Sequence, residues 1–318
     1  MSVTLAQAKL NVQDALQMGV IDEFAKSSFL FNNLTFDDCV SPTGGGATLT
    51  YGYTRVITQP TAAFRAINSE YVAQEVTKQR YTTDLKVFGG SFEIDRVISN
   101  MGGIIDEVTL QSQQKIKAAA ALFNDTVING DSAVDITAFD GLEKALTGSS
   151  TEYIPGAAID LSTSALLDAN YKAFLDVLDE FLMGLDGTPS FIGGNLKLIA
   201  KIRACARRAG MYMTSKNDFG QQVEFYGTTP LVDLGAKAGS NDPVVATSVA
   251  TGETSLFAAR LGLDGFHAIS MAGVVPVQTW LPDFKTAGAV KKGEVEMVAA
   301  VALKATKAAG VLRKIKVQ

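Results

Sequence analysis

Residues 104–142 read IIDEVTLQSQQKIKAAAALFNDTVINGDSAVDITAFDGL. Ile104, Val108, Ile116, Ala120, Phe123 and Val127 recur at three- and four-residue steps, which puts them on one stripe of a helix. Lys115, Lys117, Asn124 and Asp125 fall away from that stripe. Ala118 to Ala121 adds intrinsic helicity and lets a neighbouring backbone come close. Gly102-Gly103 precedes the helix and Asn129-Gly130-Asp131 ends it, Gly130 being expected to stop it by entering the left-handed region. A short polar loop follows, then the packed segment Phe139-Asp140-Gly141-Leu142.

Upstream, Leu49, Tyr51, Tyr53, Arg55 and Ile57 alternate with Thr48, Thr50, Gly52, Thr54 and Val56, the period of a strand. A polar excursion runs from Pro60 to Lys78. The chain returns through Tyr81, Thr83, Leu85 and Val87, pauses at Gly89-Gly90 and resumes at Phe92 and Ile94. This predicts a two-stranded excursion of about fifty residues, and because such a hairpin is marginal alone in water it requires a partner surface. Ahead of the break Ser41-Pro42-Thr43-Gly44-Gly45-Gly46, residues 1 to 35 read as an arm. Leu5, Leu10, Ala15, Met18, Ile21 and Phe24 keep helical spacing, interrupted at Gly19. The cluster Phe29-Leu30-Phe31, with Leu34 and Phe36, is too apolar for water and is expected to dock on another molecule.

Downstream of the long helix, Ser162-Thr163-Ser164 is a good N-cap cluster. It opens a helix through Leu167, Tyr171, Phe174, Leu178, Phe181 and Leu185 that is expected to stop at Gly187. Pro189-Ser190-Phe191-Ile192 reads as a buried strand, and Asn195 caps a helix ending near Gly210. From Thr254 the chain is strand-like, with Val295 to Leu303 and Val311 to Val317 as long strands that close the sheet. Helices interleaved with strands indicate an α/β layer in this region.

The 318 residues are 47% hydrophobic and 19% charged, and the mean hydropathy of +0.16 is enough for a sizeable core and excludes global disorder. The net charge of −5 argues against binding nucleic acid by neutralising phosphates. Between Gly288 and Gln318, Lys291, Lys292, Lys304, Lys307, Arg313, Lys314 and Lys316 outnumber Glu294 and Glu296, as in a solvated or ion-paired strand or, less commonly, a site facing nucleic acid. Lys197, Lys201, Arg203, Arg207 and Arg208 form either a solvated helix face or a subunit contact with a neighbour's carboxylates. Cys39 and Cys205 are far apart, no signal-peptide pattern precedes them, and no apolar run is long enough for a membrane span; cytoplasmic synthesis with reduced thiols is expected.

No constellation for chemistry is legible. The one histidine, His267, sits in a strand-like context beside Phe266 and reads as a satisfied sheet residue, not as part of a triad. One histidine and two distant cysteines do not make a zinc site. No phosphate loop, dinucleotide fingerprint or nucleophile elbow occurs. Asp168, Asp176, Asp179 and Glu180 read as the wet face of a helix. No catalytic, cofactor-binding or metal-ligating residue is therefore assigned, and no cofactor is expected.

Taken in order, these segments resemble the major capsid proteins of tailed bacteriophages, the Hong Kong 97-type capsid fold, over nearly the whole chain. The resemblance rests on the arm, the extended loop from Leu49 to Ile94, the long helix ending at Ile128-Asn129-Gly130-Asp131, and Phe139-Asp140-Gly141-Leu142. It rests also on the long C-terminal strands and on Tyr226-Gly227-Thr228-Thr229-Pro230-Leu231-Val232, where the family often has an apolar-Gly-x-Pro-Val/Leu-Val run. Thr61 to Tyr71 is similar to a subgroup of such proteins. The resemblance implies an α+β fold divided into an N-terminal arm (1-48), an E-loop hairpin (49-98), a peripheral domain with a spine helix (99-146), an axial domain (147-272) and closing strands of the peripheral domain (273-318).

It further implies a homo-oligomer of hexamers and pentamers forming an icosahedral shell around double-stranded DNA, which it touches weakly and without sequence preference. The E-loop would lie over the neighbouring subunit. Implied partners are a scaffolding protein, a portal and, as an optional addition, a decoration protein; none is a membrane. The place is the virion, after synthesis in the host cytoplasm. Some relatives carry a scaffolding segment ahead of the arm; here the arm begins almost at Met1, so a separate scaffolding protein is expected. Others cross-link an E-loop lysine to an asparagine with help from a carboxylate on a late strand. Lys78 and Lys86 are available, but Met297 to Gln318 holds no Asp or Glu, so non-covalent shells are expected. Two other readings remain open: an encapsulin-like nanocompartment shell with protein cargo, and a soluble α/β enzyme using carboxylates or an unrecognised cofactor.

Overall fold

The chain runs from a short helix α1 (Phe29–Asn33) into strands β1 (Phe36–Val40), β2 (Thr50–Thr58), β3 (Thr77–Asp84) and β4 (Lys86–Asp95). One turn of helix, α2 (Arg96–Ser99), leads to the long helix α3 (Glu107–Asn129) and to α4 (Leu142–Leu146). Short strands β5 (Glu152–Tyr153) and β6 (Ile159–Asp160) precede α5 (Ser164–Met183), β7 (Phe191–Gly194) and α6 (Leu196–Arg208). The remainder is β8 (Met213–Lys216), β9 (Gln222–Tyr226), β10 (Thr229–Asp233), β11 (Glu253–Ala259), β12 (Phe266–Met271), β13 (Val277–Trp280), β14 (Val290–Leu303) and β15 (Ala309–Lys316). The computed structural model describes residues 29–40, 48–101, 106–210, 213–216, 222–240, 242–273 and 276–318. The helical spacing expected from Leu5 to Phe24, the break at 41–46 and the Gly102-Gly103 pair lie outside the described residues.

Strand β14 is the axis of a five-stranded sheet. Its residues 290–299 pair antiparallel with 95–86 of β4 on one edge. On the other edge it pairs with β13 and then, at 299–303, with β12, which carries β1 in parallel. A second sheet runs β5-β15-β11-β7-β10-β9-β8, with β6 also on β15, and β2 and β3 form a separate ribbon. The fold is α+β, as expected. Alternation in the central strands of the second sheet serves two cores. Phe191, Phe257, Ala259, Ala309 and Val311 face one core, which is shared with α3 and the first sheet. Ile192, Leu256, Ala258, Leu312 and Ile315 face the other, covered by Leu167, Phe174, Leu178 and Phe181 of α5 and by Leu198 and Ile202 of α6. A bulge near Thr254 fits Lys314, a non-glycine residue at φ 56°.

Phe123 anchors α3. Its ring lies within about 6 Å of those of Phe31, Phe36, Phe88 and Phe139, stacked on Phe88 and Phe36 and tilted or edge-on to the others. Helices begin as their caps dictate: the side chains of Asp106, Thr163 and Asn195 accept the amides of Thr109, Leu166 and Leu198.

Several expectations are corrected. Gly130 closes α3, but at φ −59°, ψ 134°. It is glycine because a Cβ there would run into the Phe139 carbonyl and lie 2.5 Å from that of Thr126. The chain turns back on itself at that point, with Gly141 N–H donating to Gly130 O at 2.8 Å. Asn124, assigned to the wet side of α3, is buried and donates to Leu234 O, and Ala119 packs inward where Ala120 was expected. Helix α5 ends at Met183, short of Gly187.

The cluster Phe29-Leu30-Phe31 and Leu34, expected to dock on another molecule, is instead packed in the protomer's own core. Leu30 is wholly buried, and Phe29 meets Phe191 edge-on at 5.5 Å. β4 does not continue the ribbon but is a strand of the first sheet, so the paired ribbon spans Thr50 to Asp84. The long C-terminal strands do not close one sheet: β14 lies in the first and β15 in the second. β4 and β12 both pair with β14, and β15 pairs with β11.

Candidate interaction surface

The ribbon is the element whose surface its own molecule does not explain. Of its eight paired positions, Thr50 with Asp84 to Thr58 with Thr77, three (Tyr51–Thr83, Tyr53–Tyr81 and Thr58–Thr77) join β-branched or aromatic residues across the strands. Tyr53 stacks on Tyr81 at 5.8 Å and the Arg55 guanidinium lies 4.4 Å above Tyr81. Thr50 Oγ1 donates to Asp84 at 2.7 Å, and the Thr58 and Thr77 hydroxyls meet at 2.6 Å.

The root of the ribbon is fixed to the body. Tyr53 OH donates to Leu303 O at 3.0 Å and Arg55 Nε to Lys304 O at 2.8 Å, while Arg55 Nη2 also reaches Leu303 O. Burial raises the Tyr53 phenol above its ordinary value, against the pull of Arg55. Tyr51, deeper still, donates to Asp37 Oδ2 at 3.0 Å.

The outer part has no such anchor. Residues 57–80 are exposed throughout. The excursion expected to be polar carries Phe64, Ile67, Tyr71 and Val72 fully or largely open to solvent, at 108%, 90%, 65% and 86%. Its bonds are local: Thr61 N–H and hydroxyl donate to Gln74 Oε1, Arg65 donates to Ser69 O, and Asn68 takes φ 68° in the turn. An apolar tip of this kind on a narrow stem marks a surface meant for contact.

Several of the charged groups named from the sequence find partners at home. On α6, Arg203 pairs with Glu224 and Arg208 with Asp168, while Lys201 donates to Ser162 O and Lys197 to the Gln318 side chain. Asp179 accepts from Tyr226 OH at 2.7 Å and Glu180 from Tyr153 OH at 2.7 Å. The basic C-terminal region is ion-paired through Lys292–Glu294, Arg313–Glu143 and Lys316–Asp160. Lys86 Nζ donates to Ile136 O. Cys205 is buried, which pushes its thiol up to about 11.

His267 is wholly buried in β12, as a sheet histidine should be, yet among the described residues neither ring nitrogen has a hydrogen-bond partner of good geometry. A cavity of about 380 Å³ between the end of α5 and the β9–β10 turn is lined by Leu182, Met183 and Pro189, and its polar pair Asp179–Tyr226 is spent on itself. No helix among the described residues is long and apolar enough to cross a membrane. The sequence pattern located the ribbon but not its root, because Asp37, Leu303 and Lys304 are distant in sequence. It missed the tip residues because single apolar side chains among polar ones give no periodic signal.

No protein-family model and no curated protein matches the chain. Solved structures do match. The holo-SrpI encapsulin complex from Synechococcus elongatus PCC 7942 superposes with a TM-score of 0.65 at 16% identity, covering 100% of this chain and 98% of that one. The capsid of a native GTA particle gives 0.63 at 11% identity, covering 99% of both chains. The capsid of Myoviridae phage XM1 gives 0.61 at 11% identity with the same coverage. All three are shell proteins, and the match runs from end to end. The chain therefore has the Hong Kong 97-type capsid fold.

Proposed function

We propose that this chain is the major capsid protein of a tailed bacteriophage, assembling as hexamers and pentamers into an icosahedral shell that packages double-stranded DNA. One observation carries the reading: a ribbon rooted in the body ends in an apolar tip that none of the described residues covers. In a shell that tip is buried on the next subunit. Each contact is modest, and many of them add through multivalency into a closed container. The structural likeness to a phage capsid and to a GTA capsid supports this role, as does the net charge of −5, which keeps packaged DNA from adhering to the wall. The chain's role in this reading is structural and not catalytic. A scaffolding protein and a portal, with a decoration protein as an optional addition, are the partners such a shell would use, and its place is the virion.

The likeness to an encapsulin favours a second reading, a nanocompartment shell holding protein cargo. Particles purified from the native source separate the two. Nuclease-resistant double-stranded DNA of uniform length, co-sedimenting with this chain as the most abundant protein, is expected. Particles that hold a protein cargo and no DNA would support the second reading instead. Denaturing gels of the same particles are expected to show the free chain, and ladders of high mass would refute the non-covalent shell.

A further inference from the structure

We infer that His267 is an acid-sensitive release for the root of the ribbon. The inference concerns the single protomer and does not depend on what the assembled particle contains. The geometry begins with one oxygen. Asp37 Oδ2, on β1, accepts the Tyr51 hydroxyl at 3.0 Å, lies 3.9 Å from Lys304 Nζ and lies 3.8 Å from His267 Nε2. Tyr51 is the inner anchor of β2; its ring meets the His267 ring edge-on at 5.8 Å and has Lys304 Nζ 5.5 Å from its centre. The imidazole is thus sealed beneath the first residues of the ribbon and wholly buried, and among the described residues no group stands in good hydrogen-bonding geometry to either nitrogen, the Gly265 backbone being the nearest approach to one.

While neutral, the imidazole acts as an apolar edge under Tyr51. A proton changes its demands, because an imidazolium buried without a hydrogen-bonded counter-charge is costly. The carboxylate within reach is Asp37, already engaged by Tyr51 and Lys304. To close from 3.8 Å to hydrogen-bond range the Asp37 carboxylate must shift, and the bond that the Tyr51 hydroxyl donates to the same oxygen is disturbed. The new cation also stands beside Lys304 across the same ring. Both effects loosen Tyr51, and the other ionisable groups at the root, Tyr53 and Arg55, hold carbonyls of Leu303 and Lys304 that adjoin the same site.

The direction follows from linkage. Burial, and then the charge of Lys304, hold His267 below its ordinary value of 6.5, against the weaker opposing pull of the Asp37 charge and the Gly265 backbone. The folded site therefore resists a proton that the opened site accepts, so closure is fully favoured above the ordinary value and loses ground as pH falls below it.

Hydrogen exchange of the full-length chain, read by mass spectrometry over peptides from 48–58 and corrected for intrinsic rates, tests this. Protection of β2 is expected to fall by roughly tenfold from about pH 7.5 to about pH 5, a change of order 1.4 kcal/mol. Peptides of β11 and β15, far from the site, are expected to stay protected. His267→Gln removes the titration and is expected to flatten the profile. Should that variant fail to fold, Tyr51→Phe supplies the second arm: it deletes the Asp37 bond and is expected to leave β2 loose at neutral pH. A wild-type profile that is flat across this range, the same acid response in His267→Gln, or full neutral protection in Tyr51→Phe would each overturn the inference.

Discussion

The ring of Phe123 fills the space where α1, β1, β4 and the 130–141 loop meet α3, and it is wholly buried there. Phe123→Ala is expected to cost about 3–5 kcal/mol, read from the denaturant midpoint, since four flanking rings cannot collapse together into the space. Gly130 makes a sharper test at the same end of the helix. Gly130→Ala and Gly130→Asn are both expected to destabilise by about 1–3 kcal/mol or more, because any Cβ meets backbone carbonyls. A left-handed cap would tolerate asparagine, so a neutral Gly130→Asn would contradict the observed geometry.

Asp160 gives a pH test at this scale. The Ser162 hydroxyl and amide, and then Lys316, hold its carboxylate at about 2, below the usual 3.8. Its contribution is present above the unfolded value and lost as pH falls through the folded one. The stability advantage of wild type over Asp160→Asn is therefore expected to be constant above about pH 5 and to shrink toward about pH 2 in acid titrations.

At the scale of elements, the ribbon divides into an anchored root and a free tip, and the two make opposite predictions. Arg55→Ala, and equally Arg55→Lys, is expected to speed exchange of β2 amides on the order of tenfold, because an ammonium cannot span Leu303 O, Lys304 O and the Tyr81 ring together. At the tip, the combined change Phe64→Ser, Ile67→Ser and Val72→Ser is expected to leave protomer stability within about 0.5 kcal/mol while blocking assembly in light scattering. Normal assembly of that variant would remove the tip from the account.

Here the sequence was a good guide to existence and a poor one to neighbours. Alternation from Thr48 to Ile57 announced β2, and Thr163 and Asn195 announced two helix starts. Asn124 was misplaced because its partner, Leu234 O, is 110 residues away, and Leu85 hides the switch between ribbon and sheet because β3 and β4 adjoin without a break in pattern.

For the whole molecule, the order of segments was enough to place the chain in its fold, because length and sequence of elements survive where identity has fallen to 11–16%. What the segments rest on was not legible. The cluster at Phe29-Leu30-Phe31 is conspicuously apolar, yet hydrophobicity states only that a surface must be covered, not whether the cover is the same molecule or another. It is covered at home, by Phe123 and Phe191. The ribbon tip is not covered by any described residue, and the assembly reading now rests on that tip together with the likeness of fold.

Electron microscopy of particles assembled from this chain, at a resolution that traces the backbone, tests that reading most directly. Closed shells of pentamers and hexamers are expected, with residues 60–76 of each chain lying on a neighbouring copy and Phe64, Ile67 and Val72 buried there. A chain that remains monomeric at all concentrations, with or without its scaffolding partner, or a shell in which the ribbon folds back onto its own body, would contradict it.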